Sequence, residues 1–225
     1  MTIFDLKRRL TAELLGTTIL VATVVGSGIM ATKLTKDVGL ALLGNTLPTG
    51  AILVVLILIF GPVSGAHFNP AVSLVMAQRA RIPWGEVGPY VAAQVIGGIV
   101  GSLIAHLMFD LPVWQASQTV RAGGAQWFAE FVATFGLVLT IFGVVRFRPD
   151  SAPVAVGLYI TAAYWFTAST SFANPAVTIA RAFTDTFAGI APANVPAFVA
   201  AQVIGAVAAS ALAGWLFAPE PQTRA

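Results

Sequence analysis

The sequence predicts an all-α membrane protein with six transmembrane helices and two re-entrant half-helices, arranged as an inverted repeat. Three observations carry this. The chain of 225 residues is 57% hydrophobic and only 9% charged, whereas an average soluble domain is about 25% charged. Its apolar residues gather in segments of roughly 20, the length that crosses a bilayer core as a helix. The second half of the chain also repeats the first, box for box.

The six apolar segments lie at about 11–31, 40–60, 87–108, 127–146, 153–170 and 195–217. The connections between them are short, so residues 1–225 are expected to form one membrane domain. Lys7, Arg8 and Arg9 precede the first segment as in a signal-peptide n-region. The apolar stretch that follows is too long for a typical cleaved core, which predicts an uncleaved first helix. There is no cysteine, hence no disulfide or thiolate chemistry. Six crossings put both termini on one side, together with Lys7, Arg8, Arg9, Arg79, Arg81, Arg146, Arg148 and Arg224. The other side carries Lys33, Lys36, Arg121 and Arg181, and this excess of basic residues places the termini in the cytoplasm. No basic patch interleaved with aromatics lies outside the membrane, which argues against nucleic acid as a partner.

The repeat is legible in three boxes. AELLGT at 12–17, HFNPAV at 67–72 and AAQVIGG at 92–98 return as AEFVATF at 129–135, FANPAV at 172–177 and AAQVIGA at 200–206. The offsets are 117, 105 and 108 residues, measured from Glu13 to Glu130, Asn69 to Asn174 and Gln94 to Gln202. Three crossings per half is an odd number, so the second half (about 111–225) enters from the side opposite to the first (about 1–110). Such inverted repeats place their site near the midplane.

Two apolar runs are too short to span. Asn69–Ala77 and Asn174–Phe183 would each cover ~15 Å as helix, half of the core. Each opens with Asn, a strong N-cap, and then Pro, which suits the first helical position because its missing N–H would be unpaired there. Each follows a run read as non-helical, Gly61–Phe68 and Thr170–Ala173. Irregular backbone at membrane depth is tolerated where it lines a watery cavity or is buried in protein. The expected geometry has two half-helices entering from opposite faces and meeting N-terminus to N-terminus.

With SGAHFNPAV at 64–72, SFANPAV at 171–177 and the paired AE and AAQVIG boxes, the chain resembles the aquaporin, or major intrinsic protein, family over nearly its whole length. The resemblance implies an aquaporin-like fold, a homotetramer with one pore per subunit, and a passive channel for water and small uncharged solutes in the cell's inner membrane. The two Asn-Pro-Ala boxes, Asn69-Pro70-Ala71 and Asn174-Pro175-Ala176, would line the pore. Family members selective for water or glycerol usually carry Arg directly after the second box, where this chain has Val177. In this respect it looks most like a bacterial aquaglyceroporin-like subgroup associated with arsenic detoxification.

The pore chemistry follows from these residues. The Asn69 and Asn174 amides can donate hydrogen bonds to a passing oxygen, and the half-helix N-termini add partial positive charge. Together they interrupt a proton wire and repel cations. Carbonyls of Gly65, Ala66, His67, Ser171, Phe172 and Ala173 are expected as an acceptor ladder opposite apolar walls. The family pattern places a selectivity filter at Thr49, Ala162, Ser171 and Val177, which predicts a wide, uncharged and mildly polar constriction. Such a filter would pass glycerol-sized polyols, undissociated arsenite and methylated arsenicals.

Several residues carry two readings. His67 is a pH sensor or a loop anchor. Arg181 points into the outer vestibule or pairs with Asp185 at i+4 as a surface ion pair. Glu13 and Glu130 are intramembrane carboxylates and so candidates for a proton relay. The resemblance instead makes them acceptors that hold the re-entrant loops, with Gln94 and Gln202 as struts. Gly97, Gly98, Gly101 and Gly205 suit close helix approach. His106 sits in an apolar run as an interface residue. The alternative function is a proton-coupled secondary transporter. The chain lacks an HExxH pair, a nucleophile with an activating partner and a Gly-rich phosphate loop, so no enzyme, metal or cofactor is predicted.

Overall fold

A computed structural model describes residues 4–218. Arg224, counted above on the terminal side, lies outside the described residues. The chain forms α1 (Leu6–Leu34), α2 (Val38–Ser64), α3 (Pro70–Gln78), α4 (Trp84–Met108), α5 (Gly124–Phe147), α6 (Ala152–Phe166), α7 (Pro175–Arg181) and α8 (Val195–Leu216). Six of these are the expected crossings, and α3 and α7 are the two half-helices.

Five crossings are long and apolar enough to span by themselves. The sixth, α6, has 15 helical residues after a short 3-10 turn at Pro149–Ser151. The expected span 153–170 is therefore too long at its C-terminal end. Thr167 leaves the helix with extended backbone, because Thr167–Ala173 turns back toward the membrane interior. The opposite correction applies to α2. It runs through Pro48 and Pro62 to Ser64, so Gly61–Ser64 are helical. It stops at Gly65, whose left-handed backbone (φ 88°) lets its N–H bond the Gly61 carbonyl.

The helix starts follow local chemistry. Asp5 accepts from the Arg8 N–H and Asp37 from the Leu40 N–H at the heads of α1 and α2. Asn69 and Asn174 do the same at α3 and α7, each followed by Pro at the first helical position. Hydroxyls inside the apolar helices bond back one turn, as Thr17 does to the Glu13 carbonyl and Thr134 to that of Glu130.

Packing keeps the inverted symmetry. α1 lies against α4 and α2, and α5 against α8 and α6. Gly97 and Gly205 mark matching close approaches in the two halves: a Cβ at either would overlap the backbone carbonyl of Leu14 or Phe131. Each glycine sits three residues after its glutamine strut, and each carbonyl one residue after its glutamate. The half-helices are shared between the halves, since α3 also packs on α8 and α7 on α4. Large apolar side chains such as Leu58, Phe128, Trp165 and Ile204 face outward. That outward face suits lipid, since the helices are apolar on all sides.

Candidate functional site

The two re-entrant loops are built alike. Gly65, Ala66 and Phe68 have positive φ, and so do Thr170, Ser171 and Ala173, which lie 105 residues later. Left-handed backbone costs a non-glycine residue about 1–2 kcal/mol, so something must hold each loop. In the first half it is Glu13, fully buried. Its carboxylate accepts from the Ser64 hydroxyl (2.6 Å), the His67 N–H (2.9 Å), the Phe68 N–H (2.6 Å) and the Gln94 amide (2.8 Å). In the second half Glu130 accepts from the Phe172 and Ala173 N–H groups (2.9 Å each) and from Gln202 (2.6 Å). Gln94 and Gln202 each reach one residue further, to Ser73 and Thr178 at the half-helices. Each half thus carries a carboxylate–glutamine brace that fixes its loop to its half-helix.

The loops are also tied to each other. Asn69 Nδ2 donates to the Ala173 carbonyl at 2.8 Å, and Asn174 Nδ2 donates to the Phe68 carbonyl at 2.7 Å. The Oδ1 atoms meanwhile cap α3 through the Ala71 N–H and α7 through the Ala176 and Val177 N–H groups. Both asparagines therefore cap helices. Each also has one remaining amide N–H, for an amide nitrogen carries two donors. Ala173, expected among the acceptor carbonyls, spends one lone pair on this cross-brace.

A cavity of about 140 Å³ runs past these atoms. Gly65, Ala66, His67, Asn69, Ser171, Phe172, Ala173, Asn174, Val177, Thr49 and Arg181 all line it. The opposite walls are apolar: Leu20 and Val24 of α1, Leu137 and Ile141 of α5. Of the residues anticipated from the boxes and their spacing, Pro70, Ala71, Pro175, Ala176 and Ala162 do not line it, and the asparagines, loop residues, Thr49 and Val177 do. Ala162 is exposed on the outer face of α6 and does not line the cavity. The lining residues of α6 are Ala152, Val156, Ile160 and Tyr164, spaced four apart as one helix face requires. Ala162, two residues from that register, points away. Tyr164 lines the cavity on this face, its hydroxyl 3.5 Å from Thr49 Oγ1.

Nor is the lining uncharged. Arg181 is buried, with its guanidinium carbon 3.3 Å from the centre of the Phe172 ring and its Nε donating to the Ala188 carbonyl. The surface pair with Asp185 is not formed: Asp185 accepts from the Gln118 N–H. A second arginine, Arg121, comes from the connection between α4 and α5 to within 5.0 Å of the same ring, and donates to the Gly189 carbonyl at 2.8 Å. Burial lowers the Arg121 guanidinium from its ordinary value, while the Glu130 charge acts the other way.

Tyr164 escaped the sequence reading, and Arg121 entered it only as a basic residue of a connection, not as a neighbour of the site. The fourfold spacing back from Tyr164 through Ile160 to Val156 was the available signal for the first. Nothing local marked the second, whose partners are backbone carbonyls up to 68 residues away. His67 Nδ1 lies 3.0 Å from Ser73 Oγ and its ring packs on Tyr90. His106 is buried, donating from Nδ1 to the Val113 carbonyl and bonding Thr184 Oγ1 through Nε2. It straps the connection after α4 to the segment after α7.

Paired half-helices meeting at cross-braced asparagines, beside a lined cavity and inside a bundle of apolar helices, define a multi-pass membrane channel rather than an enzyme. The chain belongs to the major intrinsic protein family, whose match covers residues 1–171. It is 62% identical over 216 residues to aquaglyceroporin AqpS of Rhizobium meliloti (strain 1021), covering 96% of this chain and 93% of that protein. It is 32% identical over 172 residues to glycerol uptake facilitator protein 3 of Lactiplantibacillus plantarum, covering 68% of this chain and 70% of the relative. Its fold matches the X-ray structure of the aquaglyceroporin from Plasmodium falciparum with a TM-score of 0.72 at 23% identity, over 92% of this chain and 95% of the other.

Proposed function

We propose that this channel passively conducts water and small uncharged solutes, namely glycerol-type polyols and metalloid hydroxides such as arsenite or methylated arsenicals. The observation that carries this reading is the two-sided lumen: backbone carbonyls and two asparagine amides on one side, Leu20, Val24, Leu137 and Ile141 on the other. A polyhydroxyl molecule presents hydroxyls to the first wall and carbon to the second. The name aquaglyceroporin, carried by the 62% identical relative, supports it. At the constriction Thr49, Tyr164, Ser171 and Val177 form the size filter, with Val177 leaving free the space an arginine would fill. We assign the assembly as a homotetramer in the inner membrane with cytoplasmic termini, in keeping with the basic residues on the terminal side.

Proton coupling is less favoured by the geometry. Glu13 and Glu130 are buried and occupied by backbone and glutamine donors, so neither is placed to take up and release a proton during turnover.

The test is Val177→Arg in proteoliposomes, with water efflux read from shrinkage and with glycerol and arsenite entry read from swelling. Solute entry in the parent protein without a proton gradient, and its loss in the variant, is expected. Unchanged solute flux in the variant would remove Val177 from the filter. Flux that appears only under a proton gradient would replace the channel by a transporter.

A further inference from the structure

The end of the pore opposite the chain termini holds two buried polar atoms that the protein leaves unused. Arg181 Nη1 and Ser171 Oγ are buried and have no hydrogen-bond partner. Both residues line the cavity, and the guanidinium lies on the ring of Phe172, the neighbour of Ser171. Leaving such groups unpaired in a protein interior is costly, and more so for a charged group, unless something from the lumen meets them.

The surrounding charge decides what that is. Arg121 approaches the same ring. The carboxylate facing this region is Glu130, already engaged by Phe172, Ala173 and Gln202. Asp185 is turned to the Gln118 backbone. Tyr164 and Thr49 contribute hydroxyls. The region therefore holds two guanidiniums against one carboxylate, and the half-helix α7 carries Arg181 in its last turn.

We propose that Arg181 Nη1 and Ser171 Oγ form an anion subsite in this outer part of the pore, fitted to a small singly charged oxoacid of carboxylate size. The guanidinium supplies a charge-assisted bond to one oxygen and the serine hydroxyl a second bond to the same group. The subsite rests on the pore reading only in that the cavity admits solute. An anion held there screens the two arginines, and so regulates how strongly this end of the pore rejects cations.

The test is isothermal titration of the purified full-length protein in detergent, in chloride-free buffer at neutral pH, with acetate and its neutral isostere acetamide. Binding needs no flux, so a chain that fails to conduct would not be mistaken for one lacking the subsite. Saturable acetate binding without acetamide binding is expected. Arg181→Gln should weaken acetate by about tenfold or more. Ser171→Ala should weaken it severalfold, and it keeps the fold because the lost hydroxyl has no partner to break. Equal binding of acetate and acetamide, no acetate binding, or acetate binding unchanged in Arg181→Gln would each overturn the proposal.

Discussion

The Asn69 side chain donates to the Ala173 carbonyl, across 104 residues of sequence and from one half of the repeat to the other. With the reciprocal bond from Asn174 to Phe68, it makes each asparagine the clamp of the opposite loop. Replacing the Asn69 amide by a carboxylate, Asn69→Asp, sets an anionic oxygen against that carbonyl and removes the donor. The expected loss is about 3 kcal/mol, read as a fall in thermal unfolding temperature in detergent, together with loss of glycerol flux.

Glu13 and Glu130 perform the same task in the two halves, so their substitutions should behave alike. Glutamine offers one acceptor oxygen instead of two and turns an N–H toward the loop donors. Glu13→Gln and Glu130→Gln should each strand a buried backbone N–H at a cost of about 1–3 kcal/mol. Amide hydrogen exchange is expected to quicken at Phe68 in the first variant and at Ala173 in the second.

The close approaches give a sharper contrast. Gly97→Val and Gly205→Val drive side chains into the Leu14 and Phe131 carbonyls, with no flexible atom to yield. Neither variant is expected to elute as a folded protein in detergent. Gly88→Ala, where a Cβ meets nothing within 4 Å, should fold normally and gain a few tenths of a kcal/mol or more, up to about 1, from helix propensity.

At the constriction, Tyr164→Ala should raise glycerol flux relative to water by opening the wall beside Thr49. Ala162→Leu should leave both fluxes unchanged because the side chain faces outward. A flux change in Ala162→Leu matched by none in Tyr164→Ala would reverse the assignment of α6 faces.

Most of the fold could be read before any coordinates, because bilayer thickness and the repeat are constraints written directly in residue spacing. Asn69 and Asn174 announced their caps, and the offset of 105 residues carried over to the left-handed positions of both loops. What could not be read has a common cause. Tyr164 was missed because α6 ends early, at Phe166, which shifts the count back from the second Asn-Pro-Ala box. The free Nη1 of Arg181 and the approach of Arg121 depend on backbone carbonyls at Ala188 and Gly189. Those carbonyls have no side-chain identity for a sequence to display.

The cross-brace between the loops has a consequence for biogenesis. As the first half leaves the ribosome, the Asn69 Nδ2 donor and the Phe68 carbonyl lack the partners they have in the finished fold, and these arrive only when residues 173 and 174 are made. The newborn first half is thus an unfinished template whose pore wall is completed by the second half. A chain severed in the connection between α4 and α5 would have to find its other fragment in the lipid before either could conduct.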